Sequence, residues 1–388
     1  MPSQKRLRGL LVCAAICLLC NQSGFVGQPP ARSDASRRSA GEEYSLWDEL
    51  ADSLTAGADD YKEMDRRNRR DVFGYEDWKR HRSTGRYFKN LFTTFSASSF
   101  AKFIWVQTLM ATLVAAAVCL YYEVDLPKIQ ISSLPFTSIG GALSLLLVFR
   151  TNNGYDRWWE ARKVWGDIVN KTRDLVRQSL ARVEDETLRR ELTGLSVAYP
   201  RSLQFHLGAK DKEAWDLVMD DMYRLLSEAD AARVMSAEHK PMTILGLVTE
   251  KLEVSGMDSI SRMKADDVCT ALTDDYGKCE RIFKSPIPLA YTRLTSRFLS
   301  IWVLGLPWAL YKDIAPHALV VPITAIIAFF IFGIAELGIQ IEEPFSILPL
   351  RAMGSGIEAS CFEALEIDLT RRKSELLKEL VTSRAPQP

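Results

Sequence analysis

The chain contains 388 residues, 47% of them hydrophobic, and 49 basic side chains balance 49 acidic ones, so the formal net charge is zero. Residues 1–40 hold six Lys or Arg and one Asp, so the rest of the chain is net acidic and a basic nucleic-acid-binding surface is excluded. Three of the seven cysteines lie in the first apolar run, and the other four are widely spaced without a CxxC pair, which predicts neither a zinc site nor a disulfide framework.

Residues 1–40 have the composition of a targeting presequence. Three basic side chains between Lys5 and Arg8 precede an apolar run, Leu10–Cys20, that is too short to span a bilayer. A Ser- and Arg-rich stretch with a single acid follows Phe25. A signal sequence joined to a transit peptide that opens at Phe is similar to the bipartite presequence of algae with complex plastids. The alternative is a plain signal peptide followed by a disordered linker.

Residues 41–74 are predicted to be a flexible segment, acidic at first and then basic. A first membrane span is predicted at about 99–122 and a second at about 134–150. The second is short for a bilayer, roughly 24 Å at 1.5 Å per residue, and a charged, aromatic-rich helix opens at Arg150. We therefore predict a pore-lining helix within a bundle. The same helix then continues out of the membrane.

Residues 151–285 are predicted to form five or six polar helices, because charged faces recur along them and no convincing alternating strand is present. Two further spans are predicted at about 288–311 and about 318–341. Arg293 and Arg297 interrupt the first of these and must snorkel, pair or face water. The pattern indicates an all-α membrane protein with four transmembrane helices and a helical soluble region.

Three segments, in the right order relative to the spans, resemble the signature of the bestrophin-like family. They run from Val148 to Gly166, from Pro286 to Phe298 and from Glu336 to Phe345, and a weaker match runs from Asp77 to Ser83. The branch concerned occurs in bacteria and in plant and algal thylakoids, where it supplies voltage-dependent chloride channels. The resemblance makes residues 75–364 the channel domain and leaves 365–388 as a C-terminal helix and tail.

The resemblance implies a homopentamer with a bestrophin-type funnel, in which the second span of each subunit lines one central pore. The hydrophobic neck of that pore maps to Leu145 and Phe149, four residues apart on one helix face, with Gly141 one turn back. Relatives often carry a bulky aliphatic residue at the position of Gly141. Whether the neck has three apolar rings, or two with a wider mouth, therefore stays open. A second constriction in the soluble part maps to Ile244.

Charged residues near the predicted pore each have two interpretations. Arg150 either attracts anions at the vestibule mouth or is a structural arginine, snorkelling or paired with Glu160 or with an acid of the fourth span. Glu336, Glu342 and Glu343 are either acids that confer pH sensitivity or partners in salt bridges at helix ends. The sequence alone does not choose between them.

No metal or cofactor is predicted. No carboxylate occurs between Phe345 and Glu358, so this segment lacks the six to eight oxygen ligands that Ca²⁺ prefers, and no calcium clasp is expected. The four histidines are isolated in the sequence and are interpreted as exposed or packed side chains rather than ligands: His81, His206, His239 and His317. Scattered histidines, and the lack of a Gly-rich phosphate loop or a nucleophile elbow, argue against a membrane enzyme.

The function implied by the resemblance is passive chloride conduction through the neck, which balances the charge of proton pumping across the thylakoid membrane. One alternative is a bicarbonate channel that supplies inorganic carbon to the lumen, and another is a non-conducting scaffold. The expected partners are further copies of the chain, membrane lipid and the permeant anion. Both mature termini are expected on the stromal side, with another plastid membrane or the plasma membrane as the alternative location.

Overall fold

The structure, a computed structural model, describes residues 72–88, 99–124, 129 and 131–383. The predicted presequence, most of the flexible segment after it and the end of the tail lie outside these ranges.

The described residues contain helices and no strand, which confirms the all-helical prediction. A single-turn 3₁₀ helix precedes the last span and another follows it. The α-helices, numbered in chain order, are α1 Tyr75–His81, α2 Ser99–Glu123, α3 Leu134–Arg182, α4 Glu186–Leu207, α5 Lys212–Leu225, α6 Glu228–Ser236, α7 Lys240–Glu253, α8 Ser259–Lys284, α9 Leu289–Asp313, α10 Val320–Glu342 and α11 Leu350–Ser383.

Three of the described helices are long and apolar enough to cross a membrane. They are α2 over Phe103–Glu123, the long helix α3, and the stretch His317–Glu342 that contains α10. α9, the predicted third span, falls outside this set, because its arginines, tryptophans and internal Pro307 lower its hydropathy. Its passage through the membrane stays a prediction.

The chain divides into two compact units. The first, here called the span unit, contains Phe73–Trp158 and Pro286–Glu343, and the second, called the polar unit, contains Trp159–Ser285 and the chain from Pro344 onward. α3 is one helix of 49 residues that contributes to both units. The change from an apolar to a charged helix therefore occurs without a break in the backbone.

In the span unit, α2, α3, α9 and α10 share one apolar core. Leu143 and Leu147 of α3, one helical turn apart, are buried in this core. At the start of α3 the indole Nε1 of Trp302 donates a hydrogen bond to the carbonyl oxygen of Phe136 at 3.1 Å. Side chains from the other three helices complete the core: Phe103, Ile104, Ala111, Leu299, Val303, Ala328, Phe332 and Ala335.

In the polar unit, side-chain caps mark where helices begin. The side chains of Asp185, Asp211, Ser227 and Asp258 accept backbone N–H groups at the starts of α4, α5, α6 and α8. A second apolar core joins α11 to α3 and α4 through Val176, Leu180, Val197, Ile357, Cys361, Leu365 and Leu369. The long C-terminal helix is therefore an integral part of this unit.

Candidate functional site

The first half of α3 has a buried face and an exposed face within the single chain. Leu143 and Leu147 on the buried face pack in the core of the span unit. The predicted neck residues lie on the exposed face, where Leu145 and Phe149 are 54% and 52% exposed. Gly141 is exposed as well, and a Cβ atom built there meets nothing within 4 Å. The three predicted neck positions thus share a face that the chain itself leaves open.

Beyond Phe149 this exposed surface becomes polar. Asn152 and Asn153, three and four residues further along, are both exposed. Amide side chains supply both donors and acceptors of hydrogen bonds. These two residues belong to the segment that carries the family resemblance, but the sequence did not single them out, because it did not show which face of the helix stays uncovered.

The structure places Arg150 inside the span unit. Its side chain is 2% exposed and packs against Gly338 of α10, where a Cβ atom would come within 3.4 Å of the arginine Cγ. Glu160, one partner considered from the sequence, instead bonds to Arg281, with 2.5 Å between Nη2 and Oε1. A vestibule role requires an exposed guanidinium, so burial beside α10 favours the structural interpretation of Arg150, with acids of the last span as its electrostatic partners.

The three segments that carry the family resemblance meet within the span unit. Nε of Arg157 donates to the carbonyl oxygen of Glu342 at 2.9 Å, and just before the first segment the carbonyl oxygen of Leu146 accepts from the hydroxyl of Tyr291 at 3.1 Å. The backbone N–H of Ile287 donates to Oε1 of Glu342 at 3.0 Å. These bonds tie the helix with the open face to the start of α9 and the end of α10.

The three acids of the last span occupy different environments. Glu336 is buried and accepts a hydrogen bond from the side-chain amide of Gln340 at 3.2 Å. Glu342 holds the backbone before α9, as described above, and Glu343 is half-buried at the end of α10. These contacts support a structural role for Glu342, and a pH-sensing role for any of the three stays a prediction.

Ile244 does not fit the second constriction that the sequence placed there. It lies in α7 and is completely buried inside the polar unit, whereas a pore-lining side chain has to reach solvent. Large apolar side chains that are exposed in this part of the chain are Val254, Ile260 and Met263, around the start of α8. The sequence-based placement used only the distance along the chain and had no information on which side of α7 is covered.

His206 and His239, which are isolated in the sequence, lie close together in the structure. Their ring centroids lie 5.9 Å apart, and both rings reach the hydroxyl of Tyr276. Nε2 of His206 also lies 3.1 Å from Oε1 of Glu280. The four residues come from α4, α8 and the residue before α7, so no local sequence pattern could have shown the cluster.

Comparison of the sequence with known proteins identifies related families and channels. Residues 77–363 match the family model described as Bacterial/Fungal Bestrophin protein. The chloroplastic voltage-dependent chloride channel 1 of Arabidopsis thaliana is 32% identical over 365 residues, which cover 90% of this chain and 87% of the relative. A voltage-dependent anion channel-forming protein of Nostoc sp. is 30% identical over 63% of this chain and 80% of its own length.

A solved structure shows the same fold. The crystal structure of a bacterial bestrophin homologue from Klebsiella pneumoniae aligns with a TM-score of 0.62 at 26% identity, and the match covers 68% of this chain and 98% of that one. The matched residues of the family model include all three motif segments and the open face of α3. The chain therefore belongs to the bestrophin family.

Proposed function

We propose that this protein is a passive anion channel of a plastid membrane, with chloride in the thylakoid as its physiological ion. The names of the relatives support an anion as the permeant ion. The Arabidopsis relative is a voltage-dependent chloride channel, and the Nostoc relative is an anion channel-forming protein. The chloroplastic Arabidopsis relatives and the presequence-like residues 1–40 support a location in a plastid membrane. Channel activity needs no catalytic residue, and the sequence contains neither a Gly-rich phosphate loop nor a nucleophile elbow.

The observation that carries the proposal is the open apolar face of α3. Leu145 and Phe149 lie in a helix apolar enough for a membrane, yet point away from the core of their own chain. In a closed ring of identical subunits, here a homopentamer, such a face repeats around one axis. Each residue then becomes a ring of apolar side chains, and the small Gly141 leaves the mouth of the neck wide.

The chemistry of these rings suits a weakly hydrated anion. An apolar constriction gates by dewetting, and an ion passing it sheds part of its hydration shell. The positive edge of an aromatic ring, such as that of Phe149, partly compensates an anion for this loss. The amides of Asn152 and Asn153 offer hydrogen-bond donors on the polar side of the neck.

The double variant Leu145→Ala/Phe149→Ala tests the neck in planar bilayers. We expect a larger leak current and weaker anion selectivity, because the apolar barrier is widened. The matched control is Leu113→Ala/Phe330→Ala, which removes the same side chains from α2 and α10 at nearly equal exposures of 55% and 56%. Unchanged conductance in the neck variant, or an equal change in the control, would contradict the assignment of α3 to the pore.

Reversal potentials identify the permeant ion. For a chloride channel that balances the charge of proton pumping, we expect the reversal potential to follow the chloride gradient and to respond weakly to bicarbonate. Equal or greater bicarbonate permeability would assign the protein to inorganic-carbon supply instead. A stable oligomer that carries no current would support the alternative function, a non-conducting membrane scaffold.

A further inference from the structure

Three side chains with metal-binding chemistry meet in the polar unit. They are His206 near the end of α4, His239 immediately before α7, and Glu280 in the last turns of α8. One ligand atom of each side chain lies within 4.8 Å of those of the other two. No residue of this cluster belongs to α3, which carries the proposed neck.

The donor atoms face one common space. The hydroxyl of Tyr276 lies between the two imidazoles, 3.1 Å from Nδ1 of His239 and 3.3 Å from Nε2 of His206. Nε2 of His206 is also 3.1 Å from Oε1 of Glu280. Two imidazole nitrogens and a carboxylate oxygen thus surround the position of one phenolic oxygen.

We propose that His206, His239 and Glu280 bind a divalent first-row transition-metal ion, for which Zn²⁺ is the representative. Two histidines and one carboxylate form a donor set used for zinc. Ligand bonds of about 2.0–2.1 Å place tetrahedral donors roughly 3.4 Å apart. The present separations, all within 4.8 Å, reach that value through side-chain rotation. Water or the Tyr276 hydroxyl takes the fourth position.

Two lysines moderate the affinity of this site. Nζ of Lys284 donates to Oε1 of Glu280 at 2.6 Å, and Lys210 acts on His206 electrostatically. Because the Lys284 side chain is 60% exposed, it moves into water when an ion takes its place. Removing its charge strengthens metal binding.

A bound ion joins three segments of the polar unit: α4, the start of α7 and α8. Because the ligands are far apart in the sequence, the unfolded chain does not present them together, and the ion binds the folded state preferentially. Metal binding therefore stabilises the unit by mass action.

The test is a calorimetric titration of the purified full-length protein in detergent with ZnCl₂ at pH 7.5. We expect one Zn²⁺ per chain and a melting temperature raised by about 5 °C when free Zn²⁺ is a hundred times the dissociation constant. His206→Gln/His239→Gln should weaken binding at least about tenfold. Lys284→Gln should tighten it several-fold, a gain that misfolding does not produce. X-ray absorption of the loaded protein should show two imidazole ligands.

The matched control is His81→Gln/His317→Gln, which removes the two histidines outside the cluster and should leave the affinity unchanged. His239→Gln alone, at an exposed position, keeps the test informative if the double variant does not fold. The proposal is overturned if wild-type protein binds no Zn²⁺, if His239→Gln binds as tightly as wild type, or if X-ray absorption finds no imidazole. None of these readouts depends on ion conduction.

Discussion

Two glycines of α3 have opposite surroundings. A Cβ atom at Gly154 would lie 2.7 Å from Cγ1 of Ile341 and 3.1 Å from the carbonyl oxygen of Gly338, so α3 and α10 approach closely there. At Gly141, on the exposed face, a Cβ atom meets nothing within 4 Å. Gly154 therefore serves helix packing, whereas Gly141 leaves space on the surface that we assign to the pore.

We expect Gly154→Ala to destabilise the span unit by about 1–3 kcal/mol, because overpacking forces α3 and α10 apart. Gly141→Ala should melt like the wild type. Thermal unfolding in detergent, followed by fluorescence size-exclusion chromatography, measures both. If Gly154→Ala melts like the wild type while Gly141→Ala does not, the assignment of the two glycines is reversed.

Arg150 shows how far one buried side chain can depart from a sequence-based interpretation. Its position after an apolar run is typical of a charge at a water boundary. Its Nε and Nη2 atoms are instead buried without a hydrogen-bond partner among the described residues. The stem of Arg150 packs against Gly338 on α10, where an added Cβ atom would be 3.4 Å from its Cγ, within ordinary van der Waals contact.

At the scale of elements, a chain of charges fastens α11 to α4 and α5. Nη2 of Arg201 donates to Oε2 of Glu358 at 2.8 Å, and Glu358 also accepts hydrogen bonds from Arg224. Arg224 and Arg351 both pair with the buried Asp221. The Arg201 side chain is only 3% exposed, so water does not solvate its charge. The carboxylate of Glu358 therefore has to compensate this buried charge.

Glu358→Gln should destabilise the polar unit by about 2 kcal/mol at pH 7, because a buried arginine loses its counter-charge. The hydrogen bond from Arg224 is the main cause that lowers the pKa of Glu358 below its ordinary 4.5. A carboxylate with a lowered pKa stabilises the fold above about pH 4.5, and this stabilisation is lost as the pH falls further. Denaturant melts should therefore show wild type and variant converging at acid pH.

Glu375→Gln is the control for this prediction. Glu375 is 57% exposed and lies 3.6 Å from Arg371, so its loss should cost less than about 0.5 kcal/mol. An equal cost for both variants, or a difference between wild type and Glu358→Gln that does not shrink on acidification, would mean that Glu358 makes no special contribution.

At the scale of the whole molecule, the single chain exposes more large apolar side chains than a soluble monomer leaves uncovered. They form stripes on α2 and α10 as well as on α3, and include Trp105, Leu109, Leu113, Ile326, Phe330 and Ile334. Lipid and neighbouring subunits are the two environments that cover such stripes. In the proposed ring, the stripe of α3 alone faces the axis.

We expect native mass spectrometry to find five copies of the chain. Leu145→Cys should then place one thiol per subunit at the axis, so Cd²⁺ should block its current and oxidation should cross-link neighbouring chains. Leu113→Cys, at a similarly exposed position of α2, is the control, and Cd²⁺ should leave its current unchanged. A monomer, or equal block of both variants, would contradict the ring.

The sequence by itself determined the helical class and the apolar character of the first, second and fourth spans. Runs of apolar residues predict membrane helices without knowledge of the rest of the chain, whereas the neck positions Leu145 and Phe149 follow from the family resemblance and stay a prediction. The motif segments likewise identified the family, because they are contiguous and occur in a fixed order. Apolar runs and motifs consist of residues that are close together in the chain, so both can be recognised from the sequence alone.

Only the tertiary structure decided which surfaces are covered and which distant residues meet. The burial of Arg150 and Ile244 depends on α10 and on the packing of the polar unit, which helix periodicity does not encode. The meeting of His206, His239 and Glu280 depends on three separate helices. Contacts between residues dozens of positions apart arise from how the helices pack, so no pattern along the chain reports them.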